Sequence, residues 1–62
     1  MVNRLKDCRE AKNMSQLKLS ELSGVSRPTI IKIEKGESAE VKTSTLVRLA
    51  EALDTTVADI FF

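Results

Sequence analysis

Residues 15–36 read SQLKLSELSGVSRPTIIKIEKG. The segment holds two short helical patterns with only Gly24, Val25 and Ser26 between them. In the first, Ser15 can accept an orphan backbone N–H as an N-cap. The helix over 16–23 is expected to turn Leu19 and Leu22 inward, with Ser20 and Ser23 keeping that face small. Gly24 ends it, because glycine reaches the left-handed conformation without a Cβ clash. In the second pattern Ser26 is the natural N-cap, Ile30 and Ile33 form the buried stripe, and Gly36 closes the helix. Pro28 suits only the first turn, where no intrahelical N–H is lost. Proline also disfavours the α conformation for Arg27 before it, which predicts a helix start one residue later than the Ser26 cap indicates.

The flanking sequence continues the helical theme. A first helix over 3–12 places Leu5, Cys8 and Ala11 at three-residue intervals, with Val2 nearby, Asn3 as N-cap and Asn13 as the stop. A polar loop over 37–42 precedes a fourth helix, capped by Thr43 or Ser44, whose apolar face is Leu46, Leu49, Ala50 and Leu53, widened by Val47. Asp54 and Thr55 make a turn, and Thr56 caps a last short helix carrying Val57, Ile60 and Phe61. No strand-like alternation, repeat or low-complexity tract interrupts this pattern. The expected fold is therefore all-α: a compact five-helix domain spanning 1–62, with the close pair of helices at its centre.

Composition excludes several classes of function. The chain has 62 residues, one Cys and no His, so the usual zinc sets and Ser-His-Asp or Cys-His catalysis cannot be assembled within it. The expectation is a protein without metal, cofactor or enzymatic activity. Cys8 reads as a small hydrophobe on an apolar face rather than a redox centre. A lone cysteine, no apolar signal-peptide core and no membrane-length apolar run together point to the cytoplasm. Net charge is only +1, but it is unevenly spread. Residues 1–35 carry eight basic side chains against four acidic ones, and residues 36–62 carry two against five. Such a division suits a protein that offers one face to a polyanion, although ordinary solvated helix surface gives the same count.

A Gly-containing turn of about three to four residues sets two helices at a steep angle, and in DNA-binding domains this lets the second helix enter the major groove N-terminus first. With Met14 added, the central stretch resembles the helix-turn-helix of the Cro/cI, or XRE, family of phage-repressor-like proteins. Met14, Ser15, Gln16, Leu19, Gly24, Val25, Ser26, Ile30, Ile33, Glu34 and Gly36 fall on the family pattern without a gap. L-K-D-C-R-E at 5–10 resembles the family's first helix, and T-L-V-R-L-A-E-A-L at 45–53 followed by V-A-D-I-F resembles its last two. The likeness covers nearly the whole chain, with the helix-turn-helix at about 15–36.

The resemblance implies a lambda-repressor-like domain that binds double-stranded DNA. It places Gln16 on a phosphate and bracing the reading helix, Arg27 and Pro28 at the base edges, Thr29 on a thymine methyl or a phosphate, and Ser26 among the DNA-binding residues. Arginine at Arg27 suits a bidentate contact to guanine, worth roughly 1–3 kcal/mol of discrimination. Lys32 would reach a base or the backbone, and Lys35 and Lys42 would contact phosphates, which add affinity and salt dependence rather than sequence information. Arg9 and Glu34 stand where the family carries a buried ion pair between the first and third helices. The sequence departs from the pattern at Pro28, which donates no hydrogen bond, at Ile31, at Thr43, and at Glu37 and Glu40 in a loop that should approach phosphates.

A single small reading head holds little DNA, so the expectation is a stand-alone dimeric repressor on a palindromic operator, associating through Leu53, Val57, Phe61 and Phe62. One phenylalanine is expected to cap the core and the other to be exposed. Two alternatives stay open at this level: an antitoxin-like regulator that binds a partner protein as well as DNA, and a helical protein-interaction module without DNA binding.

Overall fold

The computed structural model describes residues 3–37 and 41–62. Val2 and Glu40 lie outside the described residues. Five helices follow in order: α1 Leu5–Ala11, α2 Gln16–Ser23, α3 Arg27–Glu34, α4 Thr43–Ala52 and α5 Val57–Phe61. The expected all-α, five-helix architecture is what the chain adopts. No helix among the described residues is long and apolar enough to cross a membrane.

The core gathers one apolar stripe from each helix. Leu5, Leu19, Ile30, Ile33, Leu49, Leu53 and Ile60 are essentially inaccessible, and Val25, Ala50 and Phe61 complete the buried set. Cys8 packs against this core as a partly buried side chain. α2 packs on α3 and α4, α1 on α3 and α5, and α4 on α5. Near its N-terminus the chain is tied to its last helix by Arg4 N–H, which donates to the Ile60 carbonyl at 2.7 Å.

Helix ends follow local chemistry. Ser15 Oγ accepts from the Lys18 amide and Thr56 Oγ1 from the Asp59 amide, as N-caps. Three helices close in the same six-residue turn: Met14 N–H to the Arg9 carbonyl, Glu37 to Lys32 and Thr55 to Ala50, each enclosing a second bond between the residues just inside. The left-handed residue of that turn is Asn13, Gly36 or Asp54, at φ 53, 73 and 52°.

Several expectations from the sequence are corrected. Leu22 is 53% exposed, and the buried stripe of α2 is Leu19 and Ser23 instead. At 100° per residue, position 23 lies about 40° from position 19 whereas position 22 lies about 60° to the other side, so Ser23 stays nearer the buried side that Leu19 marks. Ala11 is exposed for a related reason: a three-residue interval drifts about 60° per step around a helix. Asn3 is not the N-cap of α1; that residue is Arg4, although Asn3 Oδ1 still accepts from Leu5 N–H at 3.0 Å while its Nδ2 donates to the Ile33 carbonyl at 2.8 Å. Arg27 is helical after all, because the Ile30 amide closes the first turn onto the Ser26 carbonyl and burial of Ile30 and Val25 holds the chain there. Ser26 caps by position but not by its side chain, which bonds the Thr29 hydroxyl at 2.8 Å. α4 starts one residue earlier than a Thr43 cap requires and two earlier than a Ser44 cap requires, with Lys42 as its N-cap.

Glu34 ties the elements around the helix-turn-helix together. Arg9 Nε donates to Glu34 Oε2 at 2.7 Å and its Nη2 to Oε1 at 3.2 Å, while Nη1 reaches the Met14 carbonyl at 2.7 Å. Gln16 Nε2 donates to the same Oε1 at 3.0 Å. The ion-paired side chains are only 11% and 5% exposed. Burial pushes the Glu34 carboxyl up, but the hydrogen bonds from Arg9 and Gln16 and the charges of Arg9 and Lys6 outweigh it, and the group sits below its ordinary value. A carboxyl depressed in the folded state stabilises the fold above its unfolded pKa and loses that contribution as pH falls through the folded value.

Two outcomes follow for stability. On acidification from neutral pH, the melting temperature of the native chain should fall more steeply than that of Glu34→Gln, both chains sharing the contribution of Asp59; parallel curves would show that the ion pair does not carry the acid sensitivity. Arg9→Met strands a buried carboxylate and should cost about 3–5 kcal/mol, enough to unfold much of so small a domain, whereas Arg9→Met combined with Glu34→Leu should regain most of the loss. Urea titration of both variants measures the difference.

Candidate nucleic-acid interface

The turn between α2 and α3 is clamped by two serines. Ser20 Oγ donates to the Val25 carbonyl at 2.7 Å, and Ser23 Oγ accepts from the Val25 amide at 3.1 Å while donating to the Leu19 carbonyl at 2.6 Å. Both polar groups of Val25 are thereby satisfied while its side chain is buried. Gly24, at φ 74°, makes the reversal, and its amide bonds back to Ser20. The crossing of α2 and α3 is set by this clamp and by Ile30 and Ile33 packing beneath it. These serines, legible only as small residues in the sequence, are hydrogen-bonding parts of the motif.

With Ile30 and Ile33 turned inward, α3 presents Arg27, Pro28, Lys32 and Lys35 as exposed side chains, with Thr29 and Ile31 half-buried. Its outward face carries basic and apolar groups, while the Glu34 side chain is buried and held by Arg9 and Gln16. Arg27 opens the helix and Ser26 and Thr29 are bonded to one another beside it. A basic residue here opposes the helix dipole, so the position costs some helix stability, and Arg27 has no ion-pair partner among the described residues to offset it.

An open cleft of about 680 Å³ lies alongside. It is lined by Lys6 and Arg9 from α1, by Ser15, Gln16 and Leu17 where α2 begins, and by Arg27, Ile31, Glu34 and Lys35 from α3. Of the residues expected to contact DNA, the structure brings Gln16, Arg27 and Lys35 into this cleft and sets Ser26, Pro28, Thr29 and Lys32 on α3 or at its start. Lys42 lines no part of it and stands at the N-cap of α4. Lys6 and Leu17 are new to the set. Lys6 precedes Arg9 by three residues, a spacing that places both on one helix face and that was legible in the sequence.

The proposed association residues divide. Leu53 is 1% exposed and Phe61 8%, so both are core residues and Leu53 is withdrawn from any surface role. Phe62 is 89% exposed and Val57 half-buried. The expectation of one buried and one exposed phenylalanine holds.

Comparisons with known proteins agree with this geometry. Residues 5–60 match the family model described as helix-turn-helix. Among solved structures, the chain is similar to the restriction-modification controller protein C.AhdI from Aeromonas hydrophila, with a TM-score of 0.84 and 36% sequence identity over 90% of this chain and 83% of that one. No curated protein sequence matches significantly. The Gly24 turn, the paired helices clamped across it, the exposed basic face of α3 and the family match over residues 5–60 together show that the chain belongs to the Cro/cI-type (XRE) helix-turn-helix family of DNA-binding transcriptional regulators.

Proposed function

We propose that the protein reads a specific double-stranded DNA sequence with α3 and acts as a dimeric repressor on a palindromic operator. The observation that carries this reading is Arg27 at the first helical position of α3, exposed and without an ion-pair partner among the described residues. A major-groove helix reads with its N-terminal residues, and arginine there matches O6 and N7 of guanine. Thr29 offers a methyl and a hydroxyl, Pro28 an apolar surface suited to a thymine methyl, and Lys32 a cation one turn further along. Lys35 and Lys42 add phosphate contacts, and Gln16, anchored on Glu34, brings the start of α2 to the backbone.

C.AhdI is a restriction-modification controller protein, and the likeness of this chain to it supports a regulatory outcome. Dimerisation is supported by Phe62, an exposed aromatic that follows α5, and by the small footprint of one domain. A bound dimer of this size represses by occupying promoter DNA.

Selection from a random duplex pool tests the reading. The native chain should enrich a palindrome with half-sites about one DNA turn apart, containing a guanine in each half. Arg27→Ala should lose preference for that guanine, at a cost of about 1–3 kcal/mol on the selected site and little on other sequences. A folded chain that enriches nothing would overturn the sequence-specific reading, and a single unrepeated site would overturn the dimer.

A further inference from the structure

The outward face of α3 carries an apolar pair at its centre. Residues three and four apart on a helix are neighbours, so Ile31 adjoins Arg27 and Pro28 on one side and Lys35 on the other, and Pro28 adjoins Lys32. Ile30 and Ile33 fill the core, whereas Ile31 is half-buried and borders open space, and Pro28 is exposed. Neither apolar side chain is needed to bury this helix. Around them stand Arg27, Lys32 and Lys35, all exposed and none ion-paired among the described residues. The nearest hydroxyls, those of Ser26 and Thr29, are bonded to one another. A protein partner packing on Pro28 and Ile31 would desolvate three unpaired cations, whereas duplex DNA matches them.

Resting on the DNA-binding reading above, we infer that Pro28 and Ile31 together read the C5 methyl group of a pyrimidine beside the guanine held by Arg27, and accept thymine and 5-methylcytosine alike. The apolar group that a base pair shows in the major groove is the pyrimidine C5 methyl. Proline and isoleucine side chains carry no hydrogen-bonding group, and Pro28 also lacks an amide N–H. They therefore cannot distinguish the exocyclic oxygen of thymine from the exocyclic amine of cytosine, and desolvating either one is uncompensated. What remains to be read is the methyl. Thymine carries it always and cytosine only when methylated, so uracil and unmethylated cytosine are both disfavoured. Methylation of cytosine at this position converts a poor site into a good one. Ile31 becomes a specificity-determining residue, and the two departures from the family pattern on α3, Pro28 and Ile31, acquire a common purpose.

Fluorescence anisotropy on altered versions of the selected duplex tests this, with the pyrimidine beside the Arg27-dependent guanine changed in one half-site. Uracil in place of thymine removes the methyl alone and should weaken binding about fourfold, the contribution of burying one methyl-sized group. Unmethylated cytosine, paired with guanine, should bind no better than uracil. 5-Methylcytosine at the same place should recover the affinity of thymine to within about twofold. Ile31→Ser should abolish the difference between cytosine and 5-methylcytosine while keeping the guanine preference. Pro28→Ser, at an exposed position, should reduce the same difference and serves if Ile31→Ser melts early. Equal affinity for thymine and uracil, a cytosine loss that methylation does not repair, or a selected site with no thymine beside that guanine would each overturn the methyl reader, while a guanine preference lost in Arg27→Ala would leave the DNA-reading role standing. A native chain that selects no sequence overturns both.

Discussion

One carboxylate organises the DNA-binding half of this domain. Glu34 closes α3, yet its oxygens are held by Arg9 of α1 and by Gln16, the first helical residue of α2. Arg9 in turn reaches the Met14 carbonyl in the link between those helices. Three chain segments therefore converge on a single side chain that is 5% exposed. Removing a buried charge's partner is costlier than never having had the pair, so that cost does not measure the pair's net worth, and its consequence is geometric as well. What it specifies is the position of the start of α2 relative to α3, and on the proposed reading that relation decides whether backbone and base contacts can form together.

The apolar core and the turn complete the constraint. A domain of this size buries little and is marginally stable, so small local terms decide its geometry. Ile30 and Ile33 fix the roll of α3, which determines that Arg27, Lys32 and Lys35 face outward. Ser20 and Ser23 satisfy Val25 within the turn and make Gly24 a fixed corner rather than a hinge. The N-terminal end of α3 is thus pre-organised, and on the proposed reading little conformational entropy remains to be lost when DNA binds.

The features legible in the sequence were those with a local cause or a strong pattern. Ser15 and Thr56 cap because hydroxyl placement before a helix is a local matter, and Gly24 and Gly36 take the left-handed conformation that glycine tolerates best. The Arg9–Glu34 pair was legible through family resemblance, since nothing local links residues 25 positions apart. Burial was harder. Leu22 and Ala11 are apolar and near the expected faces, but which side of a short helix is buried depends on where its neighbours pack. Leu53 reads equally well as surface or core until α5 is seen to pack against α4. The proline rule failed at Arg27 because burial on both sides of the turn outweighs a modest local preference. Lys6 and Leu17 were overlooked for a different reason: the cleft they line exists only once α1 is docked on α3.

The central claim is that the Glu34 network positions the DNA-binding surface rather than merely holding the fold together. The most direct measurement is the affinity for a selected duplex of the chain carrying both Arg9→Met and Glu34→Leu, compared with the native chain at equal folded fraction. Gln16 would then lack its anchor in an otherwise folded domain, and binding should weaken by about tenfold, or 1.4 kcal/mol. A folded double variant that binds as tightly as the native chain would contradict the claim and reduce the network to a structural ion pair.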